Sequence, residues 1–331
     1  MTRRRARAVR PRRAIAPIDP SRVRTVALAR RPSKVLAAAL GRPVRAGLTV
    51  RGLLDGLPDI LAAHDLREAA ARVARALRRG RPVVLGMGAH VIKVGLGPLV
   101  ADLIARGRLA AVAMNGACLI HDFELAWGGR TSEDVGPGLD RGTFGMAHET
   151  GAFLNQAIRD GVGQGLGLGQ AVGRAMLRER LRFGRTSILA AAARMGVPAT
   201  VHVAVGTDII HMHPSADGAA VGLGSLRDFH QLAGVVTRLA GGVYLNLGSA
   251  VVLPEVFVKA LNLARNLGHP VRDLTTVDMD FNRHYRPSVN VVARPTAAGG
   301  RGIQLTGHHE IMVPLLWAAA EEALARRGRW R

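Results

Sequence analysis

The chain has 331 residues, of which 48% are hydrophobic and 4% aromatic, and it carries a formal net charge of +22. That length and apolar content suffice for a large core, as one α/β domain or two smaller ones. No apolar run reaches the roughly 18 residues of a membrane span, and the N-terminus lacks the apolar core of a secretory signal, so we expect a cytoplasmic protein. Cys118 is the only cysteine, which excludes an internal disulfide and a cysteine-based zinc site.

The positive charge is concentrated at the N-terminus. Residues 1–51 hold fifteen basic residues against one acid, a net of +14, whereas the other 280 residues have a net of +8. This segment is too charged to pack, so we expect a disordered arm over 1–51 and a single domain over 52–331. The arm could contact nucleic acid through phosphates, but it has no aromatic residues to stack bases. We therefore interpret it as a solvated tail, or as the product of an upstream start codon.

Two strand-turn-helix units follow a surface helix predicted over 57–80. The first unit has a strand at 82–85, a turn containing Gly86 and Gly88, and a helix that ends at Gly107. The second has a strand at 109–114, the turn Asn115-Gly116, and a helix from about Cys118. Successive units of this kind indicate a parallel sheet with right-handed crossovers.

A long polar segment interrupts this alternation. Residues 128–151 are Gly-rich and exceed an ordinary connection, so we expect a binding loop there, with a solvated connection as the alternative. Helical patterns return over 143–194. The later strands are predicted at 199–205, 243–247, 274–279, 289–293 and 302–305, and the later helices at 226–239, 254–267 and 310–326. The sequence thus predicts an α/β fold with a doubly wound, Rossmann-like, mostly parallel sheet and helices on both faces.

The stretch VHVAVGTDIIHMHP, residues 201–214, is the leading candidate for the functional centre. A buried strand ends here and is followed at once by Thr207, Asp208, His211 and His213. Open α/β sheets bind their ligands at the carboxyl ends of the strands. On an extended segment an H-x-H pair points both imidazoles to one side, which suits two metal ligands. No specific metal-binding spacing accompanies the pair, so a metal is possible but unsupported.

Five segments taken in chain order resemble the deoxyhypusine synthase family. They are GMGAHVIKVGLGPLVADLIARG, AMNGACLIHDFE, GVPATVHVAVGTDIIHMHP, YLNLGSAVVLPEVFVKALNLAR and GIQLTGHHEIMVPLLWAAAEEAL. The strand-turn-helix rhythm and the glycine positions match better than the chemical residues do. The resemblance implies a Rossmann-like, NAD-binding homotetramer that transfers an aminobutyl group from spermidine to a lysine.

The chemical residues of that family are only partly present. Its Thr-Asp pair at a strand end matches Thr207-Asp208, but its catalytic histidine is absent from the segment after the turn at 248–250. The family also needs a lysine in the last fifth of the chain to carry the aminobutyl group as an imine. The three lysines here are Lys34, Lys93 and Lys259, and Lys259 lies mid-helix and cannot align with it. We therefore expect an activity other than deoxyhypusine formation.

We predict an enzyme that binds NAD and acts on a small amine or amino acid, by dehydrogenation coupled to elimination, cyclisation or transfer. Asp208 would hold the substrate ammonium, and His211 or His308 would move a proton. The candidate cofactor-binding residues are Gly86, Gly88, His90, Asn115, Gly116, Ala117, Thr207, Gly248 and Ser249. The candidate substrate-binding residues are Asp122, Glu124, Glu133, Asp134, His213 and His309. A metal-dependent hydrolase or lyase, and a non-catalytic nucleotide-binding or scaffold protein, stay open as alternatives.

Overall fold

The computed structural model describes residues 15–325, which belong to two units that divide between Ala39 and Leu40. The described part of the first unit has three short 3-10 turns, Pro20–Arg22, Leu28–Arg30 and Ala37–Ala39. Its side chains are almost all exposed. The Arg-rich run at 3–13 lies outside the described residues, so the disorder of the arm and its contact with nucleic acid stay predictions.

The second unit is built on one parallel sheet. Its strands are β1 (Val83–Met87), β2 (Ala111–Asn115), β3 (Ala199–His202), β4 (Val243–Leu247), β5 (Leu274–Asp280) and β6 (Gly300–Thr306). They lie in the order β3-β2-β1-β4-β5-β6, and each neighbouring pair is parallel. The chain winds outward from β1 to β3, returns to β4 on the other side of β1, and winds outward again. The predicted doubly wound, Rossmann-like α/β fold is therefore confirmed.

Helices cover both faces of this sheet. The α-helices of the described residues are α1 (Val50–Gly56), α2 (Leu61–Arg78), α3 (His90–Lys93), α4 (Gly97–Ala105), α5 (Gly116–Gly128), α6 (Val135–Arg141), α7 (His148–Gly163), α8 (Leu168–Arg178), α9 (Ile188–Met195), α10 (Gly218–Val236), α11 (Val252–Asn266) and α12 (His309–Ala325). None of them is long and apolar enough to cross a membrane. Leu85 faces a core shared with α2, α4, α5 and α12, whereas its neighbour Val84 faces a second core shared with α10 and α11. Burial on both faces explains why β1 reads as a continuous apolar run.

Gly86 lies inside β1, although the sequence places it in the following turn. A Cβ at this position would collide with the phenol oxygen of Tyr244 on the neighbouring strand β4. Tyr244 is fully buried and stacks on Phe257 of α11, with ring centroids 3.7 Å apart. The phenol has little room to move, so Gly86 leaves space for an internal side chain.

Two local predictions are wrong. The apolar, β-branched run at 289–293 is part of a π-helix, Pro287–Ala293, that connects β5 to β6. Adjacent parallel strands need a crossover connection between them, and this segment supplies it, so β-branching is overridden by topology. The segment 128–151 is also more regular than a loop, because α6 lies within it, before the helical pattern predicted from 143.

Candidate functional site

The carboxyl edge of the sheet carries the predicted site residues in two groups. The winding reverses between β1 and β4, so this position on the edge is the topological switch point where such folds bind ligands. One group lies beyond β2 and β3 and is called the acidic pocket. The other lies between the turns that follow β1 and β4 and is called the switch crevice.

The acidic pocket is a cavity of about 180 Å³ at the end of β3. Its lining includes Asp208 and, from α5 and the segment that follows it, Glu124 and Glu133. The pocket also contains His121 of α5 and Lys93 of α3. The structure therefore brings three of the predicted carboxylates together and adds one ammonium group that the sequence motifs do not single out.

Asp208 has the least satisfied carboxyl group of the pocket. It is 7% exposed, and its Oδ2 is buried without a hydrogen-bond partner within residues 15–325. That oxygen packs against Gly116, where a Cβ would collide with it. Burial raises the pKa of Asp208, and the nearby His211 opposes this shift in part. A buried carboxyl oxygen with no donor is costly, and a ligand that supplies an N–H group would satisfy it.

His211 lies on a 3-10 turn, Ile209–Met212, directly after Asp208. Its Nδ1 accepts the backbone N–H groups of Gly206 and Asp208, at 3.1 and 3.3 Å. The proton of the neutral ring must therefore be on Nε2. Nε2 is buried and has no hydrogen-bond partner in the described part of the chain, so a second unsatisfied group lies on this loop.

The expected convergence of His211 and His213 is wrong. The segment is a helical turn, not an extended strand, and His213 Nε2 instead lies 2.8 Å from the carbonyl oxygen of Gly145. Between residues 15 and 325 no group of three or more His, Cys, Asp or Glu side chains is arranged to hold a metal ion. His213 therefore has a structural explanation.

A hydrogen-bonded chain fixes Glu124 in the pocket. Thr131 and Thr150 both donate their hydroxyls to its carboxylate, and His121 Nδ1 donates to Thr131 Oγ1 at 2.7 Å. Burial, together with the positive charge of Lys93, lowers the pKa of His121 to about 4. His121 is therefore neutral at physiological pH, and among residues 15–325 no ion pair joins Glu124 to a cationic side chain.

Glu133 shapes the segment between α5 and α7. Its carboxylate accepts the backbone N–H of Gly145 at 2.9 Å, which joins the segments on either side of α6. Asp134 is exposed at the start of α6 and is not part of the pocket lining. The polar segment predicted as a binding loop thus contributes one carboxylate to the acidic pocket.

The switch crevice is closely packed at its base. The turns after β1 and β4 touch, because a Cβ at Gly88 would collide with the carbonyl of Gly248. Gly248 has φ of +60°, and a Cβ there would lie 2.7 Å from the ring of His309. His309 is 1% exposed and donates from Nε2 to the Met279 carbonyl at 3.1 Å. Its Nδ1 is then a bare acceptor, buried and without a partner among the residues that the structure describes.

Aromatic rings line the open side of the crevice. The ring of His90 lies 5.4 Å from that of His309 and 6.0 Å from that of Phe281. Phe281 in turn stacks on His308, with centroids 6.1 Å apart and planes 6° from parallel. His308 is exposed and lies with the crevice, not beside Asp208, so the predicted catalytic residues belong to both groups. Phe281 carries no polar atom, which explains why a search for chemical motifs overlooks it.

Helix α3 joins the two groups. His90 and Lys93 are its first and last residues, three positions apart, and side chains at this spacing are neighbours on a helix surface. His90 borders the crevice while Lys93 lines the pocket. The two groups are therefore adjacent parts of one site.

Other predicted residues are held by internal contacts. Asp122 is 1% exposed and accepts three hydrogen bonds, from Ser187 Oγ and the backbone N–H groups of Ile188 and Leu189, at 2.6 to 3.0 Å. It satisfies the start of α9 and does not face the pocket. Its role is therefore structural, which corrects the expectation that it contacts substrate.

Three positions expected at the cofactor also have internal partners. Ser249 Oγ accepts the backbone N–H of Leu253 in α11, and Thr207 Oγ1 donates to the carbonyl of Ala204. The side chain of Asn115 accepts from the thiol of Cys118. Thr207 nevertheless lines the acidic pocket, as does Ala117 in the first turn of α5.

Fold and site together define a doubly wound α/β protein with a polar pocket beside its topological switch point. No protein-family model matches the sequence, and no curated protein matches it either. Among solved structures, a putative deoxyhypusine synthase from Entamoeba histolytica has a TM-score of 0.53 at 12% identity, over 86% of this chain and 98% of that one.

Two structures of the protein AgrE are also similar. The unliganded form has a TM-score of 0.51 at 16% identity, over 80% of this chain and 34% of AgrE. Its ternary complex with ornithine and NAD+ has a TM-score of 0.49 at 17% identity, again over 80% of this chain and 34% of that one. The chain thus spans about a third of the length of AgrE, and the likenesses with a TM-score above 0.5 show a shared fold.

Proposed function

We propose that this protein is an enzyme that binds NAD at the switch crevice and dehydrogenates a small amino compound held in the acidic pocket. The observation that carries the proposal is the buried carboxyl oxygen of Asp208 at the carboxyl edge of the sheet, which has no hydrogen-bond partner within residues 15–325. Burial raises its pKa, which suits a group that binds an ammonium ion and then accepts a proton.

The residues of the crevice fit a dinucleotide. His309 offers a buried acceptor that no other described residue satisfies, and the exposed rings of His90 and Phe281 offer flat apolar surface for a planar group. When bound, NAD supplies an acceptor for hydride.

The pocket residues divide the remaining work. Asp208 holds the ammonium of the substrate and accepts its proton as the amino-bearing carbon is oxidised. The Nε2–H group of His211, which has no partner among the residues that the structure describes, is a donor available close to this carboxylate. Glu124, fixed by two threonine hydroxyls, strengthens the negative potential that attracts a cation.

The metal-dependent alternative has no ligand set in the described part of the chain. The non-catalytic alternative shares the NAD site with the proposal but predicts no turnover. The non-catalytic alternative is therefore distinguished from the proposal by adding small amino acids and amines to the protein with NAD and measuring the formation of NADH.

NAD binding is tested by titration calorimetry on the wild type and the variant His309→Gln. Glutamine keeps an N–H donor for the Met279 carbonyl but removes the ring acceptor, so we expect NAD affinity to fall about tenfold. The exposed His269, which follows α11, gives the matched control His269→Gln, whose affinity should equal that of the wild type. A wild type that fails to bind NAD contradicts the proposal.

A further inference from the structure

Lys93 is the one ammonium group in a pocket with three carboxylates, and it pairs with none of them. It lines the cavity together with Glu124, Glu133 and Asp208. No hydrogen bond or ion pair joins it to another residue in the range 15–325, whereas Lys259, on α11, pairs with Glu255. The chain uses arginine for nearly all its positive charge, with 43 Arg and three Lys, so a lysine facing a cavity is unusual in this sequence.

The position of Lys93 is fixed by its surroundings. Val91 and Ile92, the middle residues of α3, are buried in the core, and Leu96 just beyond the helix is buried as well. These anchors hold the backbone of this short helix, while the Lys93 side chain itself is exposed. The backbone of Lys93 is therefore held in place beside the pocket, and its ammonium group is available to bind a ligand.

We propose that Lys93 binds the carboxylate of the substrate, so that the pocket selects an amino acid over the corresponding amine. This inference rests on the proposed function and names the substrate class of the same site. A carboxylate accepts charge-assisted hydrogen bonds from the Lys93 ammonium while the amino group binds Asp208. A ligand without a carboxylate leaves the charge of Lys93 unpaired beside the ligand's own positive charge, which disfavours it.

The size of the pocket agrees with such a ligand. A volume of about 180 Å³ is below the roughly 300–1,000 Å³ of sites for drug-sized molecules, so one small compound fills it. Its charged groups are of both signs, with three carboxylates and one ammonium. A molecule that carries at least one ammonium group and one carboxylate matches both.

The test compares amino acids with their decarboxylated counterparts. Calorimetric titration of the NAD-saturated wild type uses L-lysine against 1,5-diaminopentane, L-ornithine against 1,4-diaminobutane, and L-alanine against ethylamine. We expect at least one amino acid to bind about tenfold or more tightly than its amine. Lys93→Ala should remove this preference by weakening amino-acid binding alone, Lys93→Arg should keep most of it, and Lys259→Ala should leave it unchanged.

The outcomes separate this inference from the proposed function. A wild type that prefers the amines, that binds none of the six probes, or whose preference survives in Lys93→Ala overturns the role of Lys93. NAD affinity is measured on the same samples and should be equal in the wild type and Lys93→Ala. If the wild type binds no NAD, the proposed function fails, and the ratio of amino acid to amine affinity, measured without NAD, still decides the role of Lys93.

Discussion

A cavity lies at each edge of the sheet, and the larger of the two is not the one that carries the candidate site. At the amino edge a cavity of about 790 Å³ is lined by Arg81, Arg108 and Arg238. The acidic pocket at the carboxyl edge has less than a quarter of that volume. Arg108 already pairs with Glu321, and Arg81 and Arg238 lie just beyond the carboxyl ends of α2 and α10, where a cation is favoured by the helix dipole. The arginines that line the amino-edge cavity thus contribute to the stability of the fold.

Unsatisfied polar atoms distinguish the edges more clearly than volume does. In residues 15–325, the buried side-chain atoms without a hydrogen-bond partner belong to Asn155, Asp208, His211, Tyr244, Asn246, Thr276 and His309. None of these residues lines the amino-edge cavity, and Asp208, His211 and His309 all lie at the carboxyl edge. Folded proteins satisfy most buried polar groups, so the three exceptions at the carboxyl edge indicate where a ligand completes the structure.

The largest expected effect comes from Asp208→Asn. Asparagine keeps the size of the side chain but loses the charge and the basic site, so we expect kcat/KM for the amino substrate to fall by about 10²–10⁴-fold, with NAD binding retained. Because burial raises the pKa of Asp208, wild-type activity should decline on acidification at a higher pH than an exposed aspartate would give.

Asp102→Asn is the matched control for this variant. Asp102 is exposed on α4 and pairs with Arg106, so its loss should leave kcat/KM unchanged. Equal activity of the Asp208 variant and the wild type would remove the functional distinction between the two edges of the sheet.

The fold was predictable because its signals are local and repeated. The apolar run at 82–85, followed by Gly86, Gly88 and an apolar helix, indicates strand, turn and helix without knowledge of the partner strands. The error at 289–293 has the opposite origin. Whether that β-branched segment becomes a strand depends on the pairing of β5 with β6, which is a property of the whole sheet.

The site was predictable only in part, for a related reason. Asp208 follows a strand directly, so the general geometry of parallel sheets locates it. Asp122 has the same residue type and a similar position in the chain, but its carboxylate faces α9, and no sequence pattern shows this. Lys93 is recognised only when α3 and α5 are seen to border one cavity. The scarcity of lysine was the available signal.

A smaller effect is expected from Gly86→Ala, which tests whether this glycine serves the cofactor or the core. The added methyl collides with the buried Tyr244 phenol, so we expect a loss of about 1–3 kcal/mol in the free energy of unfolding, measured with urea, and no change in NAD affinity. Tyr244→Phe removes the colliding oxygen, which has no hydrogen-bond partner in the described residues. The double variant should therefore be less destabilised than the sum of the single variants. Strictly additive losses would contradict the clash with Tyr244, and weaker NAD binding in Gly86→Ala would place this glycine at the ligand.

The smallest effect is expected at Asp228, a buried carboxyl group that, unlike Asp208, is satisfied by hydrogen bonds. Asp228 Oδ2 accepts the backbone N–H groups of Gly169 and Val201, at 3.0 and 2.8 Å. Burial nevertheless raises its pKa to about 7, against 3.8 for the ordinary side chain. Between these values the folded protein holds a proton that the unfolded chain has lost, so this group lowers stability as pH rises toward 7.

Asp228→Asn removes that titration and can keep an acceptor for the same two N–H groups. The unfolding free energy of the wild type relative to the variant should therefore fall by on the order of 1 kcal/mol between pH 6 and pH 8. His121 and His202, whose pKa values burial lowers to about 4, make the protein less stable as pH falls below 6.5, but they are present in both proteins and cancel in the difference. Urea unfolding at several pH values measures it. If the unfolding free energies of the two proteins change in parallel with pH, Asp228 stays ionised. Its two hydrogen bonds then lower its pKa by more than burial raises it.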